Sequence, residues 1–449
     1  MNDTKLEIKK TKVTGLREQA LSDSETKKIL SSLGRLDKEF EDKDILVKLA
    51  SSENKDIRFL AIDNLAKLND VSLLSFYQTL LISENISVNR REIASAIGRL
   101  RNVTAIPTLK NMLKDKDPNV VLQSIRGLLT FKDNVDIKDE LKKLIAHKNE
   151  IVRKVIDIEF FDKKVMADKH HHSPDYLKNC IVNGDTLSTL KEIDDESIHL
   201  TFTSPPYYNA RDYSIYDSYE SYLEFLKNTF KEIHRVTKEG RFFVLNTSPI
   251  IIPRAGRKYS SIRYPIPFDI HHEIIKMGWE YIDDIIWLKP EPSAKNRIAG
   301  FNMHRKPLAY KPNCVTESIM VYRKKSNKLI DWIFKQYPED IINKSKVKDG
   351  YETSNVWKID PAFDKTHSAI FPIELCNKVI SYYSFEGDLV FDPFGGSGSV
   401  GISAAKNNRY YFLTELNKKY FELINENLSK ISTNSKPKIG IDKSIETSS

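Results

Sequence analysis

Four segments in the first third of the chain repeat one pattern: LASSENKDIRFLAIDNLAKL, LISENISVNRREIASAIGRL, LKDKDPNVVLQSIRGLL and LIAHKNEIVRKVIDIEF. Each runs from an apolar helix end through a polar turn to a β-branched residue opening a second amphipathic helix. The equivalent positions Ile57, Val88, Val120 and Ile151 lie 31, 32 and 31 residues apart, and Leu60, Ile93, Leu122 and Val155 follow on the apolar face. Pro118 stands where a helix begins, a place at which its missing N–H costs nothing. A fixed period of this length admits few folds. One helix pair cannot bury its own apolar face, so successive pairs must stack into a solenoid.

The pattern resembles the short class of HEAT repeat over residues 40–165, after an N-terminal segment of residues 1–39. The resemblance implies an interaction surface whose concave side takes DNA or a protein; a spacer or oligomerisation arm is the alternative. Arg58, Arg90, Arg91, Arg126 and Arg153 are candidate phosphate contacts, or else solvated helix positions. Residues 166–175 then read as a polar, protease-accessible linker. Its adjacent His170, His171 and His172 point alternately outward on an extended chain, so they do not close one metal site, and no metal is expected.

With 449 residues the chain has room for a further domain, placed at residues 176–435, and a polar tail at 436–449. No stretch approaches the roughly 20 apolar residues of a membrane helix, and the polar N-terminus has no signal-peptide core. Cys180, Cys314 and Cys376 are far apart, which fits a reducing cytoplasm and excludes a disulfide framework. Net charge is +8, but residues 251–330 alone hold 15 Lys/Arg against 7 Asp/Glu. Such a local surplus suits a polyanion or is a solvated face.

Two strand ends carry the chemistry. Residues 198–203 read as a short buried strand stopped by Ser204-Pro205-Pro206-Tyr207. The prolines fix φ and lack N–H donors, and the residue before each is held extended. A stiff loop results at the C-terminal edge of a sheet, where α/β folds bind ligands. The Ser204 hydroxyl and Pro205 carbonyl supply acceptors and Tyr207 an aromatic face. Together these suit a flat ring bearing an exocyclic amine; an ordinary Pro-Pro turn is the alternative.

The second end is Leu389–Asp392 followed by Pro393-Phe394-Gly395-Gly396-Ser397-Gly398, a helix, and the strand Tyr410–Glu415. The glycines allow backbone N–H groups to approach a ligand at the helix N-terminus. Glu415 lies 23 residues beyond Asp392, about the spacing at which an acid holds ribose hydroxyls. Gly396 to Gly401 also matches GxGxxG, but a nicotinamide site leaves Ser-Pro-Pro-Tyr unexplained.

TSPPY and FDPFGGSG, in that order, resemble the amino-directed DNA methyltransferases that use S-adenosyl-L-methionine, in the β arrangement. The resemblance covers residues 176–430. It implies a Rossmann-like α/β sheet behind the all-α solenoid. Ser204, Pro205, Pro206 and Tyr207 are the implied catalytic residues. Asp185, Thr203, His367, Phe371, Asp392, Pro393, Phe394, Gly395, Gly396, Ser397, Gly398 and Glu415 would line the cofactor. Ser368 replaces the proline usual in the family's HPAxFP segment. Asn246 ends the next core strand, and Thr353–Trp357 resembles a further family segment.

The implied reaction is methyl transfer to an exocyclic base amine in duplex DNA. The amine's lone pair is delocalised; accepting its N–H bonds at Ser204 and the Pro205 carbonyl returns density to nitrogen. In-line approach then needs positioning rather than a covalent intermediate, and the base must be flipped out onto Tyr207. No cysteine follows a proline, as a carbon-5 enzyme requires. Serine at the first position favours cytosine N4, with adenine N6 as the alternative. Target recognition falls at residues 250–360, where Arg254, Arg257, Lys258, Arg263, Arg297, Arg305 and Lys306 alternate with Tyr259, Tyr264 and Phe301. Double-stranded DNA is the expected partner, with a cognate restriction endonuclease or other protein on the array, no membrane contact, and a cytoplasmic, nucleoid-associated location. A binding scaffold with a vestigial methyltransferase domain is the reading from another class.

Overall fold

The computed structural model describes residues 21–36, 40–161, 170–209, 216–252, 256, 258–259, 261–291, 314–347, 350–362, 370–431 and 437–445. The chain divides into two compact units, Met1–Lys164 and Val165–Ser449.

The first unit is a stack of helices: α1 (Asp23–Ser32), α2 (Lys43–Leu49), α3 (Lys55–Leu68), α4 (Leu74–Ser83), α5 (Ser87–Arg99), α6 (Ile106–Met112), α7 (Pro118–Leu128), α8 (Val135–Lys142) and α9 (Glu150–Phe160). One apolar core runs through it, including Leu46, Ile62, Ile97, Leu109, Ile125, Leu141 and Ile156. Asn54, Asp117 and Asn149 cap α3, α7 and α9 by accepting from the first-turn amides.

The repeat is real, but its register differs from the sequence reading at two positions. Ile57 and Val120 are buried, whereas Val88 is 48% and Ile151 60% exposed. The inward positions of the equivalent helices are Ile57, Asn89, Val120 and Val152. Asn89 occupies an apolar slot because its amide donates to Lys55 O and Glu84 Oε2, which satisfies its polarity. A buried asparagine hides the repeat from an apolar template.

The arginine reading also changes. Arg58 makes a two-pronged bond to Glu84 (2.7 and 3.0 Å), and Arg90, 32 residues on, does the same to Asp115 (2.8 and 3.0 Å). Arg153 donates to the His147 and Lys148 carbonyls. These three guanidinium groups close the turns of the array. Arg126 is exposed and Arg91 half-buried.

Among the described residues, the second unit is built on a nine-stranded sheet. Its strands are β1 (Cys180–Asn183), β2 (Ile198–Thr203), β3 (Thr237–Thr247), β6 (Trp279–Leu288), β7 (Thr316–Lys324), β8 (Val356–Lys358), β9 (Leu389–Asp392), β10 (Tyr410–Glu415) and β11 (Lys438–Ile439), while β4 (Ile250–Ile252) and β5 (Ile262–Tyr264) form a separate hairpin. The order is β11-β1-β10-β9-β2-β3-β7-β6-β8, with β11 through β3 parallel and β7 antiparallel to both β3 and β6.

Helices cover both faces. On one, α11 (Tyr219–Val236) and α12 (Ile266–Lys276) pack Phe230, Ile233 and Ile270 against Phe243, Phe391 and Phe412. On the other, α15 (Ile373–Tyr383), α16 (Ser399–Lys406) and α17 (Lys418–Ile431) pack Leu375, Val379, Val400 and Ile424 against Leu200, Phe202, Val390 and Leu413. Burial on both faces explains why every residue of β2 is buried. The short helices are α10 (Thr186–Lys191), α13 (Ile330–Phe334) and α14 (Glu339–Lys344).

Residues read as linker partly belong to this unit. His170 and Ser173 are buried. Ser173 Oγ lies 3.0 Å from His199 Nδ1, which also accepts the Leu389 amide, and His199 Nε2 faces the His170 carbonyl at 3.1 Å. His170 and Ser173 are thus packed into the unit while His172 is exposed, and residues 166–169 of the expected linker lie outside the described residues. Among the described residues no group of His, Cys, Asp and Glu has metal-binding geometry, and no helix is long and apolar enough to cross a membrane.

Candidate active site

The strand order brings the two motifs side by side. β2 and β9 are neighbours with Leu200 opposite Val390 and Thr201 opposite Phe391, so the chain leaves both strands at the same sheet edge. β10 and β1 continue that edge, with Asn183 opposite Glu415. A cleft of about 890 Å³ opens there. Asp185, Ser204, Pro205, Pro206, Tyr207, Phe371, Asp392, Pro393, Phe394, Gly395, Gly396, Ser397 and Glu415 all line it. Thr203 lies just beneath, fully buried at the end of β2. Gly398 caps α16. His367 falls outside the described residues, as do Arg254, Arg257, Arg297, Phe301, Arg305 and Lys306.

Asp392 is the buried charge of the site. Its Oδ1 accepts from Thr203 Oγ1 at 2.7 Å and from the Phe394 amide at 3.1 Å. Burial raises its pKa to about 7 against the opposing pull of those two bonds. Glu415 is half-buried, and burial raises it too. Its two oxygens accept from the Gly396 amide at 2.9 Å and the Asn417 amide at 2.8 Å. The same carboxylate that a ribose would meet therefore also shapes the glycine turn. A carboxylate has about four acceptor sites, so capacity remains for a ligand.

The glycines do something other than leave open space. A Cβ on Gly395 would stand 2.9 Å from Ile424 Cδ1 and 3.3 Å from Thr414 O. Gly398 has φ of +83°, and its Cβ would meet Ile424 at 3.4 Å. The missing side chains admit β10 and α17, and so bring the turn's backbone close to the sheet edge.

Asp185 is exposed and caps α10 by accepting from Ser188 N at 2.8 Å. Phe371 stacks on Phe202 with centroids 4.8 Å apart. Ser204 and Tyr207 are half-buried. The Tyr207 hydroxyl donates to Glu317 Oε2 at 3.2 Å, and burial holds this phenol well above the usual tyrosine range.

Several lining residues were not singled out from sequence as site residues. Thr186 and Thr414 both donate to the Pro393 carbonyl (2.6 and 2.8 Å) and so fix the turn after Asp392. Trp287, Lys289 and Glu317 line the cleft, and Asn246, read only as a strand end, lines it too. In the basic region, Lys258 and Arg263 are exposed, whereas Tyr264 packs among tyrosines, 4.4 Å from Tyr219 and 5.0 Å from Tyr208. No cysteine lines the cleft; Cys376 is buried, and burial holds its thiol well above the usual range.

The N6/N4 family model described as DNA methylase matches residues 198–426, just over half the chain. The chain belongs to this DNA methylase family. A model of HEAT repeats matches residues 75–157. The Type II beta methyltransferase M.BslI of a Bacillus species is 27% identical over 72% of this chain and 36% of its own length. M.ScaI of Streptomyces caespitosus, a Type II methyltransferase, is 27% identical over 60% of this chain and 87% of its own length. With M.MwoI of Methanothermobacter wolfeii, 28% identical over 56% of this chain, the alignment again covers only 35% of the relative. The chain thus spans about a third of the length of M.BslI and M.MwoI. Among solved structures, a DNA modification methylase of Thermus thermophilus aligns with a TM-score of 0.47 and 24% identity, over 58% of this chain and 98% of its own.

Proposed function

We propose that this DNA methylase transfers a methyl group from S-adenosyl-L-methionine to the exocyclic N4 amine of cytosine in duplex DNA, as the modification enzyme of a restriction-modification system. The observation that carries the reading is the placement of Ser204–Tyr207 and Asp392–Ser397 on one cleft, at adjacent strand ends. Membership of the family and the Type II methyltransferase relatives support it.

The residues present fit the cofactor. Buried Asp392 is raised towards neutrality by its own burial, which makes it a carboxylate that a cationic ligand would stabilise. Glu415 stands at the next strand end with the free lone pairs that ribose hydroxyls need. When bound, S-adenosyl-L-methionine supplies an electrophilic methyl group on a sulfonium. Asp392, Pro393, Phe394, Gly395, Gly396 and Ser397 would hold its methionine end, Glu415 its ribose, and Asp185 with Phe371 its adenosine; Thr203 and Gly398 would support that surface.

The chain's own part is to accept and orient. Ser204 Oγ and the Pro205 carbonyl accept the amine N–H bonds and return electron density to nitrogen, and Tyr207 stacks the flipped base. Cytosine is favoured over adenine because the tetrapeptide opens with Ser204, where the family's adenine enzymes more often carry aspartate. The exposed Lys258 and Arg263 hold phosphates of the duplex. The array of the first unit serves DNA or a nuclease partner.

Tritiated cofactor and unmodified mixed-sequence DNA test the reaction. Ser204→Ala is expected to lower the single-turnover rate with cofactor affinity nearly unchanged, as for a contact made in the transition state. A Ser204→Ala enzyme as fast as wild type would remove the role of the hydroxyl.

A further inference from the structure

β6 and β7 place Trp287 directly opposite Glu317, and the pairing continues through Lys289 N to Val315 O at 2.8 Å. Lys289 lies two residues beyond Trp287, on the same strand face. Its ammonium pairs with Glu317 Oε1 and sits 4.8 Å from the centre of the Trp287 ring. The other carboxylate oxygen accepts from the Tyr207 hydroxyl at 3.2 Å. All four side chains face the cleft beside Ser204. Tyr207 follows two prolines, so its backbone is stiff, but its ring direction is set by what holds the hydroxyl.

We propose that Glu317 is a positioning residue: its carboxylate, held by Lys289, fixes the Tyr207 ring against which the target base stacks. The role rests on the methyltransferase reading and deepens it. Glu317 lies 110 residues from Tyr207 in the chain, on the antiparallel wall rather than at a parallel strand end. Without that hold the Tyr207 ring, and the base stacked on it, would shift. Near-attack geometry is sensitive to shifts of this kind.

A double-mutant cycle tests it in the full chain, with single-turnover methyl transfer to unmodified DNA and cofactor affinity by calorimetry. Tyr207→Phe and Glu317→Ala are each expected to slow transfer about tenfold, the scale of one hydrogen bond, and the double variant to be no slower than the slower single one. Cofactor affinity should stay within about twofold in each, since neither group is assigned to the cofactor. Glu317→Gln, whose amide oxygen still accepts from the phenol, should recover most of the rate. Losses that multiply to about a hundredfold in the double variant, or an unslowed Glu317→Ala enzyme, would overturn the role of Glu317 alone. A wild-type chain that transfers no methyl group to DNA would overturn the functional reading together with it.

Discussion

Thr203 Oγ1 donates a 2.7 Å hydrogen bond to Asp392 Oδ1, joining two strand ends that lie 189 residues apart in the chain. Both side chains are buried. The bond therefore ties the Ser204–Tyr207 loop to the turn that follows Asp392. Thr203→Val keeps the shape and removes the donor. At pH 8 it should cost about 1.5–3 kcal/mol of stability, the range for a hydrogen bond to a charged group. Thr203→Ser should recover most of that loss in urea denaturation. Equal midpoints for the wild type and Thr203→Val would contradict the coupling.

Asp392 sets a pH dependence. Its pKa in the folded chain, about 7, lies above the ordinary aspartate value of 3.8 because it is buried. A carboxyl raised on folding costs nothing while protonated, so stability is fully present below about pH 4 and falls as pH rises through about 7. Asp392→Asn keeps an acceptor for Thr203 and Phe394 and cannot ionise. Thermal unfolding between pH 5 and 8 should show the variant gaining on wild type as pH rises. Cofactor affinity should move the other way, rising with pH in wild type and staying flat in Asp392→Asn. A pH-independent difference in unfolding temperature would contradict the buried-carboxylate account.

How much of this was legible in the sequence differs between the two units. In the second, Ser204–Tyr207 and Asp392–Gly398 are local patterns, and their adjacency follows from where parallel strands end. Glu317 was not legible, because its partner Tyr207 meets it only through the turn from parallel to antiparallel pairing at β3 and β7. The glycines were legible as a turn but not in their purpose, since the close neighbour Ile424 sits on a helix beyond β10. In the first unit the period was readable, whereas the register was not: Val88 and Ile151 look like core residues until the polar Asn89 is seen inside.

The array supplies a check on the arginines. Arg90 spends its guanidinium on Asp115 and the Asn85 carbonyl, and the Asp115 pair raises its pKa. Arg90→Ala leaves a half-buried carboxylate with less support. It should destabilise the array by about 1–3 kcal/mol. The salt dependence of DNA binding should be unchanged, because the guanidinium is already paired with Asp115. A shallower salt slope for the variant would restore the phosphate-contact reading.

Mass spectrometry of nucleosides is the most direct measurement. DNA free of modification is incubated with the chain and S-adenosyl-L-methionine, digested and analysed. N4-methylcytosine is expected with wild type and a sharply reduced amount with Ser204→Ala. N6-methyladenine would keep the amino-directed mechanism and contradict the choice of base, whereas 5-methylcytosine, or no methylated nucleoside, would contradict the mechanism itself.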